Sequence, residues 1–91
     1  MPKKFRKQGG AMVEAVQFDG TSTAARMIYD WIGIPGTEQF WMDRGDGMVN
    51  LVVETPRGGK VVRPTEWVVQ AIDGELAHHT AADFEATYEP A

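Results

Sequence analysis

The side chains able to do chemistry are few: His78 and His79 are the only histidines, Ser22 is the only serine, and there is no cysteine. A metal site or a general base would have to start from the histidine pair. Neighbouring strand residues point to opposite faces, so two adjacent imidazoles cannot converge on one ion. Ser22 sits between Thr21 and Thr23 ahead of a helical pattern, where hydroxyls cap, and no G-x-S-x-G elbow accompanies it. Asp43, Asp46 and Glu54 bracket a glycine loop, but Gly45 and Gly47 stand where a calcium loop needs oxygen ligands. Arg57-Gly58-Gly59-Lys60 lacks the Ser or Thr and the helix start of a phosphate-binding loop. Each of these segments reads as a hairpin turn. The residues point away from an enzyme and from any resident metal or cofactor.

Charge is more informative. The chain carries a net charge of −4, yet Lys3, Lys4, Arg6 and Lys7 hold four of its nine basic residues. Beyond residue 7, five basic residues stand against 13 acidic ones, a net of −8. Such a body repels a polyanion, so duplex nucleic acid is disfavoured as a partner. Four of the five remaining cations, Arg44, Arg57, Lys60 and Arg63, gather in the middle third of the chain. With Trp41 or Trp67 beside them they would combine charge and a stacking surface, so these six residues form the predicted site for a small anionic, nucleotide-like ligand.

At 91 residues and 43% hydrophobic, the chain has room for one packed core and is far from the composition of disordered segments. The basic residues 1–10 are expected to be loosely ordered, and residues 11–91 to form one α+β domain. No apolar run reaches the roughly 18–20 residues that span a bilayer. The basic start leads into Gln8-Gly9-Gly10 and not into an apolar signal segment. The expectation is a cytoplasmic protein with no membrane partner.

The elements that would position these residues follow from periodicity. Residues 12–18 read as a strand ending at Asp19-Gly20. Ala24, Met27, Ile28, Trp31 and Ile32 recur at helical spacing behind Thr21, with Gly33 and Pro35 to end the turn, so the longest helix is predicted within about residues 22–32. The pattern then changes to period two, with strands near 38–43, 48–54, 60–63, 67–72, 75–79 and 84–88. Tight turns between them dictate antiparallel pairing. Asp73-Gly74 predicts a two-residue turn that sets Ala71-Ile72 opposite Glu75-Leu76. Thr80 can cap a single turn before a half-buried last strand carrying Phe84, Ala86 and Tyr88. The predicted fold is a strongly curved antiparallel sheet, even barrel-like, packed against one amphipathic helix.

Alternation sets Trp41 on the polar side of its strand, with Gln39 and Asp43. Trp67 lies with Val69 and Ala71, opposite Val68, Gln70 and Ile72, which leaves both faces of that strand apolar. With one core available, the second apolar face predicts a covering partner or a second copy, hence a homo-oligomer.

Four stretches, Val13 to Gly20, Pro64 to Val69, Gly74-Glu75 and Asp83 to Pro90, resemble in order the small phage and prophage proteins of the PGDYG-type family. Phe5-Arg6-Lys7 is similar to an opening common there. The resemblance implies a bacteriophage or prophage product, located in the host cytoplasm. Thr65 and Glu66 replace the family's Gly-Asp, and because Thr resists positive φ a type I turn is expected at this point. The reading that follows is a non-enzymatic binding module that acts on a host protein or captures a small anionic ligand. A minor virion or assembly protein is the second reading, and a small enzyme the third.

Overall fold

The computed structural model describes residues 2–33, 41–43 and 45–91, and for residues 41–43 the backbone alone. Among these are β1 (Lys3–Lys7), β2 (Met12–Gln17), α1 (Ser22–Trp31), β3 (Trp41–Asp43), β4 (Val49–Thr55), β5 (Gly58–Val62), β6 (Trp67–Ala71), β7 (Leu76–His79), α2 (Ala81–Thr87) and β8 (Tyr88–Pro90). All pairings are antiparallel. The α+β class expected from the sequence is formed. A barrel-like closure is not: the strands make two open sheets, ordered β7-β6-β2-β1-β8 and β3-β4-β5. The chain leaves β5 through the Pro64 turn and β6 pairs with β2 instead, so the β3–β5 meander stays a separate layer.

Helix α1 starts where its hydroxyls predict. Thr21 Oγ1 accepts the Ala24 N–H at 3.0 Å, and Asp19 Oδ1 accepts both the N–H and the hydroxyl of Thr21. At the other end the Gly33 N–H donates to Asp30 O with φ +81, the left-handed exit that glycine tolerates. The buried face is turned relative to the predicted stripe. Ala25, Ile28 and Tyr29 are its buried residues, while Met27 is 46% exposed and Trp31 half-buried. Tyr29 wins this place because its hydroxyl donates to Val52 O at 3.0 Å and accepts the Val52 N–H at 3.2 Å, pinning α1 to β4. With Phe18, Leu51, Val62 and Val68 these residues make the main core.

The second apolar face of β6 is covered by the chain itself. Of residues 84–88, expected as a strand, 84–87 belong to α2 and only Tyr88 begins a strand; α2 carries Phe84 onto Ala15 and Val69 in a second cluster with Phe5, Val13, Trp67 and Tyr88 at its margin. Positions 84 and 88 share a face at period two and at helical spacing alike, so the pattern could not separate the two readings. The alanines at 81, 82 and 86 favour helix, and Thr80 Oγ1 caps it by accepting the Asp83 N–H. The sheet therefore has apolar packing on both sides, and the single thick core of the sequence reading is replaced by two clusters. The expectation that this face of β6 requires a partner loses its basis.

Two further corrections concern register and the N-terminus. The basic segment expected to be loosely ordered supplies β1, an inner strand between β2 and β8; Phe5 joins the second cluster and provides the anchor that composition concealed. At Asp73-Gly74 the loop has three residues, not two. The Gly74 N–H donates to Ala71 O and the Ala71 N–H to Glu75 O, with Gly74 at φ +88, which is a type I turn closed by a glycine bulge. Ile72 is thereby expelled from the ladder and is 93% exposed.

Candidate functional site

Three of the predicted ligand residues fall along one strand. Arg57 occupies the β4–β5 turn, Lys60 lies on β5 opposite Val53, and Arg63 follows the end of β5. Arg57 and Arg63 are exposed, Lys60 is half-buried, and none of the three makes an ion pair with a described residue. Among the described residues β5 pairs with β4 alone, so its other edge presents backbone donors and acceptors between these cations. Five strand residues at about 3.3 Å each separate Arg57 from Arg63, so the charges form a row and not a cluster.

The aromatic half of the predicted site is placed elsewhere. Trp67 lies on the α2 side of the five-stranded sheet. Its ring stacks on Phe84 at 3.9 Å between centroids and 5° between planes, with the edge of Phe5 at 5.4 Å. Trp41 is opposite Leu51 in the register, and its side chain lies outside the described residues, as does Arg44 entirely. Trp67 is therefore not brought together with Arg57, Lys60 and Arg63 around one stacked ligand.

The turn between β5 and β6 holds the chain's most unusual geometry. The Glu66 N–H donates to Arg63 O at 3.0 Å, and Thr65 has φ +78, the one positive φ outside glycine among the described residues. This is type II geometry, contrary to the type I turn expected from the threonine. The surroundings hold it there. The Thr65 N–H donates to Phe18 O, the Phe18 N–H donates to Glu66 O, and Gln17 Nε2 donates to Thr65 O. A β-branched residue so placed carries roughly 1–3 kcal/mol of strain that the rest of the fold must offset. Thr65→Gly should relieve it, and after the entropy cost of glycine stability should rise by about 1 kcal/mol. Calorimetry would register a melting temperature about 4–8 °C higher; an unchanged or lower one would mean the turn is not strained.

Glu66 Oε1 also accepts the Arg63 N–H at 2.9 Å and meets His78 Nε2 at 2.7 Å. This pair was not foreseen. With the expected two-residue turn, His78 would lie on the Trp67 side of the sheet; the extra loop residue shifts the register by one and exchanges the faces of both histidines. His78 now lies opposite Val68, diagonal to Glu66, and His79 lies opposite Trp67 with its ring against Tyr88. Burial alone would raise the Glu66 carboxyl, but the Arg63 N–H, the His78 imidazole and the Arg63 charge hold it below its ordinary 4.5. Burial pushes His79 below its ordinary 6.5, aided by the charges of His78 and Lys7 and opposed by Asp83. The Glu66–His78 pair ties the turn that precedes β6 to β7.

Both shifts make the fold acid-sensitive. A histidine held neutral resists a proton that the unfolded chain accepts, so stability falls as pH drops through about 6.5. A carboxyl with a depressed value loses its contribution as pH falls below about 4.5. Melting temperatures followed from about pH 8 to pH 4 should show both losses. His79→Phe should remove the upper one and Glu66→Gln should reduce the lower, the rest staying with Asp19, whose carboxyl is held down by the Thr21 N–H and hydroxyl; a flat profile for the wild type would contradict the assignment.

Among the described residues no helix is long and apolar enough to cross a membrane. Comparison with known proteins gives no matching family model, no matching curated protein and no matching solved structure.

Proposed function

We propose that this chain is a non-enzymatic, bacteriophage- or prophage-encoded binding module that acts on a protein of the host cytoplasm by taking an extended acidic segment along β5. The phage origin rests on the sequence resemblance. Val13 to Gly20 covers most of β2, Pro64 to Val69 the turn into β6, Gly74-Glu75 the β6–β7 turn, and Asp83 to Pro90 most of α2 with β8.

The observation that carries the reading is the row Arg57, Lys60, Arg63 on an edge strand whose outer side is unpaired among the described residues. Main-chain pairing supplies affinity in strand addition, and flanking charges choose the partner. On a chain of net charge −4, this row supplies local attraction for an acidic segment along the strand. Capture of a nucleotide is less well supported, because it would need clustered cations and an open ring, and the Trp67 ring is stacked on Phe84.

The test is affinity capture from host lysate followed by native mass spectrometry, comparing the wild type with the Arg57→Ala, Lys60→Ala, Arg63→Ala triple variant. One acidic host protein retained by the wild type and lost from the folded variant is the expected result. Equal retention by both, or retention of none, would count against the reading.

A further inference from the structure

The face of the five-stranded sheet that carries Lys4 and Glu14 is a surface separate from β5. On its other face the sheet is packed by α2. On this face, α1 and the three-stranded sheet cover Val68 and Leu76, and the part over β1 and β2 stays open: Lys4, Arg6, Met12 and Glu14 are all exposed. Two concavities of about 550 Å³ each open along it. One is lined by Lys4, Met12 and Glu14, and the other by Val16 with Met27 and Trp31 of α1.

We propose that a second copy of this chain packs on this face, about a two-fold axis that runs along the strands between β1 and β2. Three observations fix the occupant. First, Lys4 lies opposite Glu14 in the register, yet the two make no ion pair within the chain. An axis between their strands exchanges the columns, so Lys4 of each copy meets Glu14 of the other, a self-complementary arrangement of the kind a two-fold interface requires. Second, Arg6, the other cation of β1 on this face, lies opposite the uncharged Met12, so exchanging the columns sets no cation directly against a cation. Third, β8 pairs with Phe5 to Lys7 of β1 and the Ala91 N–H reaches Lys4 O, which leaves Pro2 and Lys3 without a strand on that side. There the α1 helix of the second copy finds room, and the Val16, Met27 and Trp31 concavity receives the start of that copy's β1. This interface does not involve β5 and is independent of the host-binding reading.

Sedimentation at about 100 μM tests it. The wild type should sediment as a dimer. Lys4→Glu and Glu14→Lys, each folded by circular dichroism, should dissociate at least tenfold more readily, since each places like charges together twice. An equimolar mixture of the two variants should form a heterodimer, because all its opposed pairs are again of opposite sign. A monomeric wild type, single variants that dimerise as the wild type does, or a mixture that fails to regain association would overturn the proposal.

Discussion

Replacing Phe84 by alanine should lower stability by about 3–5 kcal/mol, the range for removing a buried phenylalanine from a core. Phe84 is 3% exposed and is the contact through which α2 closes the second cluster. Its ring lies flat on Trp67 at 3.9 Å, takes the edge of Phe5 at 4.9 Å, and stacks on Tyr88 at 4.9 Å. Truncation opens a cavity between three aromatic rings on a short helix that cannot follow them inward. In a domain of this size each kcal/mol shifts the midpoint by about 4–8 °C, so the melting temperature should fall by more than about 12 °C. Phe84→Leu, which keeps most of the volume, should cost far less. Urea titration of both variants checks this; a Phe84→Ala loss below about 1 kcal/mol would mean that α2 does not cover the sheet.

Gly20→Ala should cost about 2–5 kcal/mol. Gly20 has φ +90, and an added Cβ would lie 2.9 Å from Pro64 Cγ and 3.2 Å from Met48 Sδ. The methionine can move, but the proline ring cannot, because the Arg63–Glu66 turn is tied to Phe18 by two hydrogen bonds. Left-handed backbone contributes about 1–2 kcal/mol and overpacking about 1–3 more. Gly33→Ala separates the two terms. Gly33 has φ +81 with nothing within 4 Å of an added Cβ, so it should show the backbone cost alone. Equal losses at the two glycines, measured by chemical denaturation, would contradict close packing of Gly20 against the Pro64 turn.

Much of this architecture was legible where a local signal had one meaning. The Thr21 cap, the Gly33 exit, and the strands around 12–17, 49–55 and 67–71 form close to where patterning put them. It was illegible where one signal had two meanings. Phe84 and Tyr88 fit a strand and a helix equally, and Asp73-Gly74 suits both a two-residue turn and a three-residue turn with a bulge. That single residue decided which histidine meets Glu66. Lys3 to Lys7 looked like a solvated tail because four charges outweigh one phenylalanine in composition, whereas the fold uses Phe5 as the anchor. Of the predicted site, Arg57, Lys60 and Arg63 lie along an edge strand and away from Trp67, an arrangement hidden from patterning because a row along a strand and a cluster around a ring have the same sequence. Thr65 shows the limit of propensity: four hydrogen bonds around the turn impose the φ that its own side chain disfavours.

The central claim is that β5 is an edge built to receive an acidic strand, and amide hydrogen exchange tests it most directly. With polyglutamate as the probe at low salt, the amides of Gly58–Val62 should exchange more slowly than in the free protein. That protection should vanish at high salt and in the Arg57→Ala, Lys60→Ala, Arg63→Ala variant. Exchange across β5 that is unchanged by the probe, or protection that survives loss of the three cations, would contradict the account.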